Sequence, residues 1–480
     1  MTDLSIPTAP PTRDVYANRT LNLRSIAAIG YDMDYTLVHY NVVEWEKMAF
    51  AQGKARLAEL GWPTDGVEFD PSQVIRGLVI DVELGNLLKA TRFGYVIKAA
   101  HGSRVLTYGE LREAYAETFV DLSDPRFEFM NTLFSLSEAS LFLQYVDRLE
   151  AGDLPHGLGH GDVYHTVREA IDRSHADGIL KRQILAEPER FIDLDPDLVL
   201  ALRDLRAAGR QLLLITNSEW EYANAIMAYA FDRYMPEGQT WRDLFSCVIV
   251  SASKPAFFTG DNPLYKVVDE ERALLRPHLG AIEPGSVFFG GNARIVEQSL
   301  GLSGDQILYV GDHIFGDVHF SKALLRWRTA LILRELESEI AALIEFLPKQ
   351  RQLETMMATK ERLEAQVASL RLAALRGREG YAPPPVQVPD PQAELERVRT
   401  KLAALDDEIA PLAIEASRLR NETWGPLMRA GIDKSLFARQ VERYADIYTS
   451  RVSNFLYPGP FALFRTGRLD LPHDVKLRRD

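Results

Sequence analysis

Six short apolar runs recur along the chain, and several are separated by amphipathic stretches with helical spacing. The runs are IAAIGY, QLLLITN, CVIVSAS, SVFFGG, QILYVGD and TALIL. Continuous apolar runs of this length are typical of strands buried on both faces, and strands that alternate with helices form parallel sheets. The sequence therefore predicts an α/β fold built on a doubly wound parallel sheet.

A long insertion separates the first two runs. About 170 residues lie between them, far more than one crossover helix needs. The stretch RGLVIDVELGNLLKATRFGYVIKAAHG has short β-branched runs broken by glycine, which predict hairpins near the first strand. Residues 106–187 have helical spacing and predict a cap domain. The predicted core is then 21–105 together with 188–345, preceded by an N-terminal tail at 1–20.

Beyond residue 345 the pattern changes to that of paired helices. Apolar residues between Leu395 and Leu419 alternate steps of three and four, and similar spacing occurs between Leu363 and Ala374. The proline-rich stretch GREGYAPPPVQVPDPQ connects the two. We predict a coiled-coil-like helical hairpin over 346–420, paired within the chain first and used for self-association second, with a kink or break at Pro411. Residues 421–480 are expected to dock on the core.

Composition excludes several classes of protein. The chain has 480 residues, 46% of them hydrophobic, and a formal net charge of −13, which argues against broad binding to nucleic acid or anionic membranes. The single cysteine, Cys247, lies in an apolar run and is predicted to be a buried strand residue. No run of about 18 apolar residues exists to cross a membrane. We therefore expect a soluble, cytoplasmic protein.

Two aspartates follow the first apolar run. Asp32 and Asp34 lie one residue apart, so they should project from the strand end into the same small volume. When two carboxylates lie so close together, a proton or a cation is required between them. An exposed acidic loop is the alternative, but the position directly after an apolar strand favours a site at the carboxyl end of a parallel sheet.

Three further strand ends carry polar groups. Thr216–Ser218 (TNS) can bind phosphate oxygens or simply cap a helix. Lys254 follows a strand, where a lysine is more often solvated than functional. Asp312 and Asp317 flank a glycine-containing loop, which suits a hard cation, although either alone is an ordinary helix cap.

Together these groups suit phosphoryl transfer. Asp32 can attack phosphorus once Mg²⁺ neutralises the charge of the phosphate, and Asp34 can protonate the leaving oxygen and later deprotonate water. Thr216 and Lys254 would hold the transferred phosphoryl oxygens.

The motifs DMDYT, TNS, SKP and GDHIFGD, in this order at strand ends, resemble those of the haloacid dehalogenase (HAD)-type phosphohydrolases. Within that superfamily, GYDMDYTL, RGLVIDVELGNLLK, NTLF, KPAFF, YVGDHIFGDV and LFARQVERYADIY are similar to the cytosolic purine 5′-nucleotidases. The resemblance covers roughly 22–335 and 424–474 and leaves the helical hairpin outside it.

The resemblance implies a HAD-like Rossmannoid core and a role for each matching position. Asp32 corresponds to the nucleophile and Asp34 to the acid/base, an aspartate that favours a phosphatase over an ion transporter or a dehalogenase. Thr216 and Lys254 correspond to the phosphate holders, next to Asn217 and Ser218 in the substrate site. The Mg²⁺ ion is expected at Asp32, Asp34, Asp312 and Asp317.

The resemblance implies that the nucleoside is bound by residues of the cap. Phe134 in NTLF can stack on a base, and VREAIDRSHADGILK presents Arg168, Asp172, His175 and Lys181. The first three of these lie on one face of a helix and offer the donors and the acceptor that a purine edge needs. An amphipathic surface helix with an Arg–Asp pair is the alternative.

The activity implied is Mg²⁺-dependent hydrolysis of purine nucleoside 5′-monophosphates, of the IMP and GMP type, through an aspartyl phosphate. The same intermediate would allow phosphotransfer to a nucleoside. The alternatives are a HAD phosphatase for another phosphomonoester, or a non-catalytic scaffold. A nucleoside monophosphate and a second copy of the chain are the expected partners.

The segment HGLGHGDVYH contains His156, His160 and His165. Histidines in a glycine-rich loop without cysteine are more often exposed side chains than metal ligands.

Overall fold

The computed structural model describes residues 8–383 and 385–467. Parts of the expected N-terminal tail (1–7) and C-terminal segment (468–480) lie outside the described residues. The chain divides into two compact units, one containing residues up to Glu337 and from Leu427 onward, the other Ser338–Pro426. The expected hairpin at 346–420 falls inside the second unit.

The described residues form strands and helices along the whole chain. The strands are β1 Tyr16–Ala17, β2 Leu21–Asn22, β3 Ala28–Tyr31, β4 His39–Tyr40, β5 Val79–Asp81, β6 Asn86–Ala90, β7 Val96–His101, β8 Arg104–Val105, β9 Phe127–Phe129, β10 Ile192–Asp193, β11 Gln211–Ile215, β12 Cys247–Val250, β13 Leu264–Asp269, β14 Leu274–Pro277, β15 Val287–Gly290, β16 Ile307–Gly311, β17 Arg328–Ile332, β18 Arg429–Ala430, β19 Asp433–Lys434, β20 Ile447–Thr449 and β21 Leu463–Phe464. The α-helices are α1 Val42–Glu59, α2 Tyr108–Tyr115, α3 Leu136–Glu150, α4 His160–Ala176, α5 Ile179–Ala186, α6 Pro188–Phe191, α7 Leu198–Ala207, α8 Trp220–Phe231, α9 Ala256–Thr259, α10 Ala293–Leu300, α11 Phe320–Leu325, α12 Leu336–Glu379, α13 Pro391–Ser417 and α14 Leu436–Tyr444. Shorter 3₁₀ turns lie at Pro11–Arg13, Leu23–Ser25, Leu133–Ser135, Asp232–Tyr234, Trp241–Leu244, Gly304–Gln306 and Val452–Leu456, and a π-helical turn at Ile314–His319.

The main sheet has ten strands in the order β1-β20-β17-β16-β3-β11-β12-β15-β13-β14. All neighbours from β20 to β15 run parallel, and the outer pairs are antiparallel. The chain leaves β3 toward β11 on one side and later returns to β16 on the other. The change of direction at β3 makes its carboxyl end the topological switch point, where ligands bind in open α/β sheets. The predicted fold class is confirmed.

Alternate residues of the central strands enter two separate apolar cores. Ile29 and Tyr31 of β3 belong to one core, whereas Ala28 belongs to the other. In β12, Val248 and Cys247 divide in the same way. Both faces of the sheet are therefore covered, which explains why the strands read as continuous apolar runs, and Cys247 is buried as predicted.

Segments far apart in sequence complete one edge of the main sheet. In β1, Tyr16 pairs with Tyr448 of β20, and β20 runs parallel to β17. Residues 16–17, expected in an N-terminal tail, are thus an edge strand of the core. The C-terminal segment takes part in the same sheet through β20, within its described residues.

The inserted region contains a second sheet of five antiparallel strands, in the order β8-β7-β6-β5-β9. The predicted hairpins are present as β5–β6 and β6–β7. The domain boundary expected at residues 105/106 is wrong, because β9, which follows this boundary, pairs with β5, which precedes it. A strand of three residues has too little pattern for sequence periodicity to detect. Helices α1, α3 and α4 pack together beside this sheet.

The second unit contains the helical hairpin. Leu395 and Val398 of α13 are buried against Leu370 of α12, so the apolar seam pairs within the chain as predicted. Ion pairs Lys349–Glu415 and Lys360–Asp406 connect the same helices in antiparallel order. Helix α13 continues through Pro411 to Ser417, so no break occurs there, and the kink that was the other expectation stays a prediction.

Among residues 8–383 and 385–467, no helix combines the length and the apolar character that crossing a membrane requires.

Candidate active site

The candidate site lies at the carboxyl ends of neighbouring central strands. Asp32 directly follows β3, Thr216 follows β11, and Asp312 follows β16. Lys254 comes four residues after the end of β12. A cavity of about 290 Å³ opens here, and its lining includes Asp32 and Lys254.

Lys254 bridges two carboxylates at the floor of the site. Its Nζ lies 2.7 Å from Asp32 Oδ1 and 2.7 Å from Asp317 Oδ1. Tyr309, in β16, accepts a third hydrogen bond from this ammonium at 3.0 Å and donates its own hydroxyl hydrogen to the carbonyl of Ile215. The Lys254 side chain is 4% exposed, and the two carboxylates hold its pKa well above its usual range, so it is charged.

Asp312 is the second buried carboxylate of this cluster. Within the described part of the chain, no hydrogen-bond partner lies at Asp312 Oδ2. Burial raises the pKa of Asp312 well above its usual range, and the guanidinium of Arg76 offsets only part of this effect. Oδ2 of Asp312 therefore lacks the hydrogen-bond partner that a buried carboxylate oxygen normally has among the described residues.

Asp317 comes close because residue 311 is glycine. A Cβ at Gly311 would lie 2.4 Å from Asp317 Oδ2, so any side chain there would displace the carboxylate. Asp317 Oδ2 accepts a hydrogen bond from the backbone of His313 at 3.1 Å. The glycine of YVGD is thus required for the approach of Asp317 to the end of β16.

The acidic groups fit a divalent cation. One carboxylate oxygen from each of Asp32, Asp312 and Asp317 lies within 4.8 Å of the others. Burial raises the pKa of Asp32 as well, although Lys254 lowers it. One ammonium cannot neutralise three buried carboxylates, and oxygen ligands are those that Mg²⁺ prefers. The unpartnered Oδ2 of Asp312 is a free ligand atom for such an ion.

The carboxylate of Asp34 faces a different set of partners. It accepts hydrogen bonds from the Tyr40 hydroxyl at 2.5 Å and from Ser218 Oγ at 2.8 Å. Burial, followed by the charge of Asp32, raises its pKa above the usual range. The side chain of Asp34 is not in the three-carboxylate group, so its expected role as a metal ligand stays a prediction, whereas a raised pKa suits a group that donates a proton.

The loop after β11 is held to the loop after β12. Asn217 Oδ1 accepts a hydrogen bond of 2.6 Å from the Lys254 backbone, and Asn217 Nδ2 donates to the Lys254 carbonyl at 3.1 Å. Asn217 also lines the cavity. Thr216 is fully buried, and its Oγ1 accepts from the Ser218 backbone at 3.0 Å, which leaves its hydroxyl hydrogen available to a ligand.

Phe134 lines the cavity within an aromatic cluster. Its ring packs edge-on against Tyr35 at 4.8 Å and Trp45 at 5.2 Å between centroids. His175 of α4 contacts the same ring at 6.5 Å, and burial lowers the pKa of its imidazole. These two predicted residues therefore lie together beside the site.

Two of the other predicted cap residues, Arg168 and Lys181, have partners of their own. Arg168 is half-exposed, forms an ion pair of 3.2 Å with Glu128 and donates to the Tyr164 hydroxyl at 2.8 Å. Lys181 forms an ion pair of 2.5 Å with Glu219. Asp172 is exposed on α4. None of these three is among the residues that line the cavity in the described chain.

Sequence reasoning missed three residues of the site. Arg76 is 2% exposed and donates to the backbone carbonyls of Asn131, at 2.9 Å, and of Asp312. Tyr40 donates a hydrogen bond to Asp34. It lies in a strand of two residues, which is too short to give a signal in the sequence. Tyr309 could have been found, because it places a hydroxyl group inside an otherwise apolar parallel strand.

The main sheet places the paired aspartates Asp32 and Asp34 directly after its central strand β3, as the sequence predicted. The family model described as the 5′ nucleotidase family matches residues 15–476. The chain therefore belongs to the 5′-nucleotidase family, and the sequence resemblance is confirmed.

Two curated relatives match almost the whole chain. A 5′-nucleotidase domain-containing protein of Dictyostelium discoideum is 28% identical over 487 residues, covering 99% of this chain and 77% of the relative. Human 5′-nucleotidase domain-containing protein 2 is 29% identical over 484 residues, covering 97% and 86%.

Solved structures with a similar backbone include an archaeal β-phosphoglucomutase from a Pyrococcus strain, with 10% identity, a TM-score of 0.31, and coverage of 65% of this chain and 88% of that one. Another is the HAD-hydrolase YfnB of Bacillus subtilis bound to magnesium, with 12% identity, a TM-score of 0.23, and coverage of 64% and 88%.

Proposed function

We propose that the chain hydrolyses purine nucleoside 5′-monophosphates with Mg²⁺, through an aspartyl phosphate at Asp32. The observation that carries the proposal is the different environment of the two aspartates. Asp32 lies against Lys254 among the cluster of carboxylates, whereas Asp34 lies against two hydroxyl groups. Two carboxylates with such different surroundings suit two different roles, nucleophile and acid/base.

In the first step, Asp32 forms a bond to phosphorus and the ester bond to the nucleoside oxygen breaks. The electron pair of that bond stays on the leaving oxygen, which takes the proton of Asp34. Lys254, 2.7 Å from Asp32 Oδ1, is positioned to bind an oxygen of the transferred phosphoryl group.

In the second step, Asp34 removes a proton from water as the water oxygen bonds to phosphorus. The bond between phosphorus and Asp32 breaks, so the Asp32 carboxylate and inorganic phosphate are regenerated. Asp32, Asp312 and Asp317 would hold the metal. When bound, Mg²⁺ supplies positive charge that offsets the repulsion between the phosphate and these carboxylates.

The cap residues support a nucleoside as the leaving group. Phe134 lines the cavity and offers an aromatic edge and face to a base, and His175 lies next to it. The neutral imidazole favoured by burial can donate one hydrogen bond and accept another, which matches a purine edge. Arg168 and Lys181 would have to leave their present partners to reach a base.

Phosphate release from a panel of nucleoside monophosphates and simple phosphomonoesters tests the proposal. We expect IMP and GMP to be hydrolysed fastest, and Asp32→Asn to abolish turnover at saturating Mg²⁺. Asp305→Asn, an exposed aspartate in the turn before β16, is a matched control that should retain activity. Near wild-type turnover by Asp32→Asn would refute the mechanism, and a preference for a non-nucleotide ester would refute the substrate.

Phosphotransfer to a second nucleoside follows from the same intermediate, because a nucleoside hydroxyl can replace water in the second step. Hydrolysis of GMP in the presence of inosine should then yield IMP. Absence of IMP at millimolar inosine would restrict the enzyme to hydrolysis.

A further inference from the structure

Two histidines and a glutamate meet in the inserted region, on elements separate from the strand ends that carry the aspartates. His101 is the last residue of β7, Glu150 the last of α3, and His160 the first of α4. Glu150 Oε1 lies 3.0 Å from His160 Nε2 and 3.6 Å from His101 Nε2. The three ligand atoms all lie within 4.8 Å of one another.

Hydrogen bonds at the other ring nitrogens place a hydrogen on Nδ1 of both imidazoles. His101 Nδ1 lies 3.1 Å from the Leu84 carbonyl oxygen, and His160 Nδ1 lies 3.1 Å from the Glu83 carbonyl oxygen. A carbonyl oxygen only accepts, so both Nδ1 atoms donate. In the neutral rings the lone pairs are then on Nε2, directed at the carboxylate of Glu150. In this neutral form, two lone pairs and a carboxylate attract one another only through a cation between them, whereas a protonated ring would donate its Nε2 hydrogen to Glu150.

The turn that holds these rings is itself rigid. Asp81 is fully buried, accepts two hydrogen bonds from Arg126 at 2.9 and 2.7 Å, and accepts the backbone hydrogens of Glu83 and Leu84 at 3.2 Å. Gly85 has φ +67°, and a Cβ there would lie 2.5 Å from the ring of His160. The carbonyls that orient the histidines are therefore fixed in place, and glycine makes room for one ring.

We propose that His101, Glu150 and His160 form a second metal site, which binds a borderline transition-metal ion such as Zn²⁺. Two imidazole nitrogens and one carboxylate oxygen are a common ligand set for zinc, whereas Mg²⁺ prefers oxygen ligands only. Zinc bonds of about 2.0–2.1 Å in a tetrahedron place neighbouring ligand atoms roughly 3.3 Å apart. The two measured separations, 3.0 and 3.6 Å, lie on either side of that value.

The site is open to solvent and joins three elements. The side chains of His101, His160 and Glu150 are 27%, 23% and 55% exposed, so an ion can enter and water can complete the tetrahedron. A bound ion would connect the hairpin sheet to the ends of α3 and α4, and would stabilise the cap that carries the proposed base-binding residues.

Zinc titration of the full chain in excess Mg²⁺ tests the site. By calorimetry we expect one equivalent of Zn²⁺ to bind, and the melting temperature to rise with it. His101→Gln and His160→Gln should each weaken binding at least about tenfold and lose the rise in melting temperature. His156→Gln, an exposed histidine four residues before His160, is the matched control and should bind as the wild type does.

Substitution by Co²⁺ gives an independent readout, because a tetrahedral site containing nitrogen ligands absorbs visible light strongly. The band should be present in the wild type and in His156→Gln, and absent in His160→Gln and Glu150→Gln. Equal Zn²⁺ binding in the wild type and the His101→Gln/His160→Gln double variant would assign the ion to the aspartates and overturn the proposal. No binding to the wild type would also overturn it, and would leave a protonated histidine–glutamate pair.

Discussion

The hydroxyl of Tyr40 donates a hydrogen bond of 2.5 Å to Asp34, and lies 3.0 Å from the hydroxyl of Tyr222. Tyr40 thereby holds the proposed acid/base in one orientation while remaining outside the cavity lining in the described chain. It acts on the substrate only through Asp34, so we assign it as a positioning residue.

Tyr40→Phe should lower kcat roughly tenfold and leave KM nearly unchanged, because Asp34 acts on the leaving oxygen in the transition state. The loss should be much smaller with p-nitrophenyl phosphate, whose leaving group needs little protonation. Steady-state kinetics with GMP and with this ester measure both effects. Tyr222→Phe, which removes only the outer hydroxyl, is the control. A raised KM with unchanged kcat would instead make Tyr40 a substrate-binding residue.

Arg76 contacts Asp312, one of the proposed metal ligands. Its guanidinium donates to the backbone carbonyl of Asp312, and its charge partly offsets the burial of that carboxylate. Arg76→Met should raise the Mg²⁺ concentration for half-maximal activity by roughly tenfold, because outer partners orient metal ligands. Arg451→Met removes a different arginine, which forms an ion pair with Glu337, and should leave the Mg²⁺ requirement unchanged. An equal Mg²⁺ response in both variants would show that Arg76 contributes only to stability.

The central sheet was predictable because its strands are buried on both faces and follow one another in a regular alternation with helices. β9 and β1 were not, since strands of three and two residues carry too little pattern and depend on partners far along the chain, such as β5 and β20. The sequence predicted a kink or a break at Pro411, and helix α13 continues through this residue without the break. Proline removes one hydrogen bond, and the other contacts of a long helix can exceed that loss.

The candidate site was predictable in so far as its residues follow strands directly. Asp32, Asp312 and Lys254 could be placed by that rule, since the carboxyl ends of parallel strands share one edge. Arg76 could not be placed in this way, because its role becomes visible only from the backbone carbonyls that it contacts in the folded structure. The cluster at Glu150 also escaped detection, since His101 and His160 are brought together by the pairing of β6 with β7 and by the packing of α3 and α4.

Glu46 gives a prediction about stability and pH. It is fully buried on α1, and its Oε2 accepts a hydrogen bond of 2.6 Å from the Ser137 backbone at the start of α3. Burial raises its pKa from 4.5 to about 8. As pH rises through this window, the unfolded chain releases the proton while the folded chain keeps it. The free energy of unfolding therefore falls with pH, by up to about 1.4 kcal/mol per pH unit from this group.

Glu46→Gln removes this pH dependence. The stability of the variant relative to the wild type should rise by roughly 2–4 kcal/mol between pH 5 and pH 8, since all other titrating groups are shared. Chemical denaturation at several pH values measures the difference. Glu59→Gln, exposed near the end of the same helix, should follow the wild-type curve. Parallel curves for Glu46→Gln and the wild type would show that Glu46 is ionised in the folded protein.

The helical hairpin gives the last prediction. Its ion pair between Lys349 and Glu415, at 2.5 Å, shows that the two helices run side by side near the base, so 349 and 421 can be joined by a short Gly/Ser linker. The seam residues Leu395 and Val398 are already covered by Leu370, whereas Leu347, Met357 and Ile414 remain exposed.

Deleting 350–420 should leave hydrolysis largely intact. It should also reduce the number of subunits per particle, calculated from the mass measured by light scattering, because the exposed apolar positions are the surface available for self-association. Leu395→Ala, which should weaken the intramolecular seam without removing the exposed positions, is expected to keep the wild-type mass. Loss of activity in a deletion variant that stays folded and keeps the wild-type number of subunits would assign the hairpin to the catalytic machinery.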